Sequence, residues 1–94
     1  MKNIQKFDSF LNESAEETRP LYKIADEIES DWKKVYFGAV PYLEAMFSLD
    51  KITDNYGADS GVSVVSYFLA NAQGWKGDVA RRVKKELNNM LKKR

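Results

Sequence analysis

Four stretches of the chain repeat apolar residues at the three- and four-residue spacing of one helical face, and Pro, Gly and Asn fall between them. Leu21, Ile24, Ala25, Ile28 and Trp32 form the clearest stripe, which places every member on one side of an α-helix. Pro20 suits the first turn of that helix, where a missing amide loses no intrahelical bond. The helix should fade across VYFGAV, because Val35, Tyr36 and Phe37 are poor helix formers and Gly38 is permissive. Pro41 opens a second helix, PYLEAMFSLDKI, with Tyr42, Ala45, Met46, Leu49 and Ile52 on its inner face. Asn55 and Gly57 tolerate the left-handed backbone that closes a helix, and Asp59 or Ser60 can cap the next one, GVSVVSYFLANA. Val62, Val64, Val65, Tyr67 and Phe68 would suit a strand equally well. Length favours helix, and a lone strand would leave its backbone groups unpaired. Gly74 and Gly77 bracket Trp75 in a turn, and Asp78 caps a last helix with Val79, Val83, Leu87, Met90 and Leu91 inward.

The expected fold is all-α: a compact bundle of about four short helices around one aromatic-rich core, plus an N-terminal amphipathic helix. In that opening segment Ile4, Phe7 and Leu11 share one face, with Phe10 at its border. SAEETRP is polar and acidic, and its proline biases Arg19 away from helix. The organisation is therefore a peptide over residues 1–13, a linker over 14–20 and a single helical domain over 21–94. At 94 residues there is material for one core and no second.

Composition narrows the chemistry. The sequence contains neither Cys nor His, which removes thiol nucleophiles, imidazole bases, disulfides and most zinc sites. Its glycines, at 38, 57, 61, 74 and 77, have none of the spacings of a phosphate loop, dinucleotide fingerprint or nucleophile elbow. The expectation is a non-enzyme with no cofactor and no bound metal. No apolar run approaches the roughly twenty residues that cross a bilayer. Lys6, Asp8 and Ser9 interrupt what would be the apolar core of a secretory signal. The expected partners therefore exclude the membrane, and the expected setting is intracellular.

The net charge of +1 hides an asymmetry: residues 1–60 carry seven Lys/Arg against twelve Asp/Glu, and residues 61–94 carry eight against two. Such a dipole either steers a charged partner or draws the two halves together within the fold. The last helix carries Arg81, Arg82, Lys84 and Lys85, candidates for contact with nucleic acid or another partner, because cations at helical spacing can follow a phosphate backbone. Their other reading is a solvated face continued by Lys92, Lys93 and Arg94, cations that suit a helix C-terminus. Asp26, Glu27, Glu29 and Asp31 could form a carboxylate pair, but they lie mostly off the apolar stripe among Lys23, Lys33 and Lys34 and read as a solvent face. Trp32, Tyr36, Phe37, Tyr42, Phe47, Tyr56, Tyr67, Phe68 and Trp75 are expected to build the core, with Trp32 and Trp75 the first choices if any ring stacks on a base. Tyr42 and Phe47, if exposed together, would mark a protein contact.

The opening residues bear a further likeness. Met1, Lys2, Phe7 and Phe10, followed by Leu11-Asn12-Glu13 and then Ser14 and Ala15, resemble the capsid-targeting peptides of internal head proteins from T-even-type bacteriophages. Those peptides end at a Leu/Ile-x-Glu site cut by the prohead protease. The likeness covers about thirteen of 94 residues, and Leu11-Asn12-Glu13 is the one such triplet in the chain. It implies a processing site at Leu11, Glu13 and Ser14, and residence in the phage head interior or host cytoplasm. The body, with DWKKVYFGAVPYLEAM, SYFLANAQGW and GDVARRVKKEL, is similar to small uncharacterised phage-type proteins, which carry no activity across. The resemblance implies a protein that binds a host or phage macromolecule, most simply a protein partner. The alternative is a cytoplasmic nucleic-acid-binding or regulatory module working through the basic last helix.

Overall fold

The computed structural model describes residues 19–93. The peptide 1–13, its processing site at Leu11, Glu13 and Ser14, the linker as far as residue 18, and Arg94 lie outside the described residues. Among the described residues the chain forms α1 (Leu21–Asp31), α2 (Val40–Met46), a two-stranded hairpin β1 (Asn55–Tyr56) and β2 (Asp59–Ser60), α3 (Gly61–Ala70) and α4 (Asp78–Lys93). The fold is mainly α. α1 packs on α2 and α4, and α3 packs on both of these as well.

The first stripe does what its spacing predicts: Leu21, Ile24, Ala25, Ile28 and Trp32 are all buried. α1 has no side-chain cap at Pro20, and its first free amides are satisfied from elsewhere. Leu21 N donates to Asp50 O at 2.8 Å and Tyr22 N to Leu49 O at 3.0 Å, which supplies carbonyl partners to two of the donors a helix start leaves open.

The segment that supplies these carbonyls carries a correction. The second helix does not run through to Ile52 but stops at Met46. Instead Ser48 N and Leu49 N close tight turns on Ala45 O and Met46 O, and the Asp54 carboxylate accepts from the amides of Asp50 and Lys51 at 3.3 and 3.0 Å. Leu49 is still buried and Ile52 still packs on the core.

The expectation of no strand is corrected as well. β1 and β2 pair antiparallel, Asn55 with Ser60 and Tyr56 with Asp59, across a turn in which Gly57 has φ +60°, the sign that two-residue hairpin turns require. Of the two possible caps for α3, Ser60 acts, accepting from Ser63 N at 3.1 Å. A Cβ on Gly61 would lie 2.5 Å from Ile52 O, so only glycine lets α3 start against the segment that follows α2. Asp78 is the first residue of α4 rather than a cap outside it.

The core joins the four helices through Leu21, Ile24, Ile28, Met46, Leu49, Val65, Phe68, Val83 and Leu87. At one end it is closed by Trp32 and Trp75, stacked at 5.8 Å between centroids with 10° between planes. Phe68 meets both indoles edge-on, at 6.3 and 6.5 Å.

Candidate functional site

The Trp32–Trp75 stack draws together two loops, 32–39 between α1 and α2 and 71–77 between α3 and α4. Trp32 leaves α1 in an extended conformation while its amide still reaches Ile28 O. Val35, Tyr36 and Phe37 follow in non-helical backbone, and Ala39 N and Val40 N turn back onto Tyr36 O and Phe37 O to start α2. A Cβ on Gly38 would sit 2.5 Å from Tyr36 Cε2 and 2.9 Å from Asn71 Oδ1. Glycine therefore lets the Tyr36 ring and the Asn71 side chain close over this turn. Asn71 in turn donates from Nδ2 to Tyr67 O at 2.9 Å, which ties the turn to the last turn of α3.

Two ring pairs flank this corner, linked through Gly38 and Asn71. Tyr36 and Phe37 touch at 4.8 Å between centroids, tilted by 57°, and Tyr42 and Tyr67 at 5.5 Å, tilted by 33°. Tyr36 is 48% exposed, Tyr67 55% and Phe37 79%. This corrects the expectation that the aromatics build the core: Trp32, Phe68 and Trp75 do, whereas Tyr36, Phe37, Phe47, Tyr56 and Tyr67 face water. The backbone around the corner is unusual for so charged a chain, because neither 35–43 nor 61–74 contains a single Asp, Glu, Lys or Arg. Depletion of charge with enrichment in aromatic residues is the mark of an interface core.

Cations stand beside the corner. Lys33, Lys34 and Lys76 are exposed on the two loops. Lys84 reaches in from α4, donating from Nζ to Trp75 O at 2.6 Å and lying 5.9 Å from the Trp75 ring centroid. Its ammonium is pushed below its ordinary pKa, first by burial and then by the charge of Lys76. Asp31 accepts from Trp75 Nε1 at 2.8 Å.

The residues expected to form a free basic face on α4 have separate occupations. Arg82 pairs with Glu27 and Arg81 with Asp78, Lys84 serves the Trp75 carbonyl, and Lys85 is exposed. The acidic group on α1 is likewise dispersed. Glu27 lies between Arg82 and Arg19, and Arg19 also reaches Glu86 through Nε at 3.0 Å and Nη2 at 2.7 Å. Glu27 is held below its ordinary carboxylate pKa mainly by Arg82, with Arg19 adding to it against the opposing effect of burial. The charge dipole of the sequence is thus spent in part on binding its acidic half to its basic half. Arg19, placed by sequence at the end of the linker, is anchored to α1 and α4.

Tyr42 and Phe47 do not form a joint surface. Tyr42 meets Tyr67, while Phe47 lines a shallow open groove of about 560 Å³ with Arg19, Tyr22, Lys23, Asp26 and Glu27. Among the described residues no group of three acidic side chains is placed to hold a metal ion, and no helix is long and apolar enough to cross a membrane. No family model matches the chain, and it matches no curated protein and no solved structure.

Sequence reasoning missed Tyr36, Phe37 and Tyr67 as surface residues. Two signals point to them. Tyr67 is one step out of phase with the Val64, Val65 and Phe68 face, and Tyr36 and Phe37 follow Lys33 and Lys34 beyond the last member of the first stripe.

Proposed function

We propose that this chain is a small non-enzymatic binding protein of the phage type, whose helical domain presents the Tyr36, Phe37 and Tyr67 corner to a macromolecule. Residues 1–13 carry it into a prohead, where it is cut after Glu13 and left in the head interior until delivery to the host cytoplasm. The observation that carries the binding reading is Phe37, 79% exposed beside two further open rings on charge-free backbone. A ring so exposed adds little to the core, whereas aromatic side chains are the usual anchors of interfaces. The delivery reading is supported by Met1, Lys2, Phe7, Phe10 and the Leu11-Asn12-Glu13 triplet. The lack of Cys and His supports action by binding. The alternative, a nucleic-acid module reading through Arg81, Arg82, Lys84 and Lys85, has less support because Arg82 and Lys84 are already held by Glu27 and the Trp75 carbonyl.

Intact mass spectrometry of the protein recovered from virions tests the delivery reading. The expected species begins at Ser14; a full-length chain in virions, or no chain at all, overturns it. The binding reading is tested separately with Phe37→Ser in the infected host. The expected result is loss of effect at unchanged abundance, and a fully active F37S protein overturns it.

A further inference from the structure

We infer that the partner of the aromatic corner is a single-stranded polynucleotide, held by stacking on Tyr36, Phe37 and Tyr67 and by phosphate contacts to Lys33, Lys34 and Lys76. This rests on the corner being a contact surface and adds the chemistry of what it contacts. Single strands are bound where open aromatic rings accept unstacked bases and nearby cations follow the backbone. Both halves of that requirement are present at this end of the bundle. The rings are open to water and are tilted by 57° and 33° within their pairs, so they offer separate faces rather than one flat wall.

The cations are placed to want an anion. Lys33, Lys34 and Lys76 are exposed on the two loops that the Trp32–Trp75 stack joins. Lys76 is near enough to Lys84 for the two charges to oppose each other, a repulsion that a phosphate would relieve. Two carboxylates stand at this end, Asp31, which accepts from the Trp75 indole, and Asp78, which pairs with Arg81, and Lys33, Lys34 and Lys76 outnumber them. A duplex would fit less well, since its bases are already stacked and closed to the rings. The surface is distinct from the α4 face, where Arg82 is turned onto Glu27.

The test is fluorescence anisotropy of the full chain with labelled oligo-dT and oligo-rU of about 20 nucleotides, long enough to span one such surface. Both should bind at about 50 mM salt, with log affinity falling against log salt at a slope of about −2 for three lysines. Y36A and F37A should each weaken binding about tenfold or more, and K33A/K34A should flatten the slope by about 1.4. K85A/K92A on α4 should change affinity by less than about twofold. Circular dichroism checks that each variant keeps its helices.

Binding of only one oligomer would support the inference and identify the sugar that is read. No binding of either oligomer would overturn it, as would binding abolished by K85A/K92A and indifferent to Y36A and F37A. If neither oligomer binds while F37S still abolishes the effect in the host, the corner serves a protein: the inference fails and the contact surface stands.

Discussion

Trp32, Phe68 and Trp75 are sealed inside one end of the bundle, while Tyr36, Phe37 and Tyr67, their close neighbours in the chain, stand in water around it. Tyr67 and Phe68 are adjacent on α3, where a step of about 100° separates an outward ring from an inward one. The other contrast is set by where a helix ends. Had α1 continued, Tyr36 would lie one turn beyond Trp32 on the same inner stripe. The chain instead becomes extended at Trp32, and the next two aromatics turn outward. Rings of similar size thus serve stability or contact according to helical phase and helix length, with no difference in residue chemistry needed.

The sharpest way to break this contrast is Phe68→Ala. It removes a ring with no exposed surface from between two indoles and should cost about 3 to 5 kcal/mol. That is a fall in melting temperature on the order of 20 °C for a domain of this size, read by thermal denaturation. A loss near 1 kcal/mol would mean that the three rings are not one packed unit. Gly61→Ala should come next, at about 1 to 3 kcal/mol, because the new methyl meets the Ile52 carbonyl at 2.5 Å. Its urea midpoint should fall, with m unchanged.

Glu27→Gln should cost about 1 kcal/mol at neutral pH, as expected of a partly exposed ion pair. In the folded chain the Glu27 carboxyl ionises below its ordinary 4.5, so the unfolded chain takes up the proton first as pH falls. The stabilisation is therefore complete above about 4.5 and drains away as pH drops through the lower folded value. E27Q should show a flatter stability profile across that acid range, measured as urea midpoints at successive pH values. An unchanged profile would mean that Arg19 and Arg82 do not hold this carboxylate in solution. The smallest effect belongs to the outer rings. Phe37→Ser should move stability by no more than about 0.5 kcal/mol in either direction, and a loss like that of F68A would show that the corner is a structural element after all.

Much of the helical frame was legible because it depends on local periodicity. The stripes at 21–32, 61–68 and 79–90 depend only on spacing, and their members Ile24, Ile28, Val65, Phe68, Val83 and Leu87 are fully buried. The early stop of α2 was not legible. Leu49 and Ile52 keep helical spacing, and spacing does not show the contacts that replace the helix after Met46: the tight turns of Ser48 N and Leu49 N and the Asp54 carboxylate that accepts from the amides of Asp50 and Lys51. The hairpin was hidden for a similar reason, since Asn55 and Gly57 read equally well as a helix stop. At the corner, the charge-free runs were visible, but the turn that carries Tyr36 and Phe37 outward closes at Gly38 against Asn71, which comes from the distant loop after α3. The fate of Arg81, Arg82 and Lys84 was likewise set by partners far away or on neighbouring turns, which charge counting does not locate.

The borrowed carbonyls at the start of α1 also bear on the order in which the chain can be made and folded. A ribosome releases Leu21 and Tyr22 well before Leu49 and Asp50, so α1 emerges with its leading amides open to solvent and must wait for a later segment to cover them. Completion of α1 is thereby coupled to arrival of the middle of the chain, and a nascent fragment halted before Asp50 would carry α1 with a frayed, incompletely anchored leading turn.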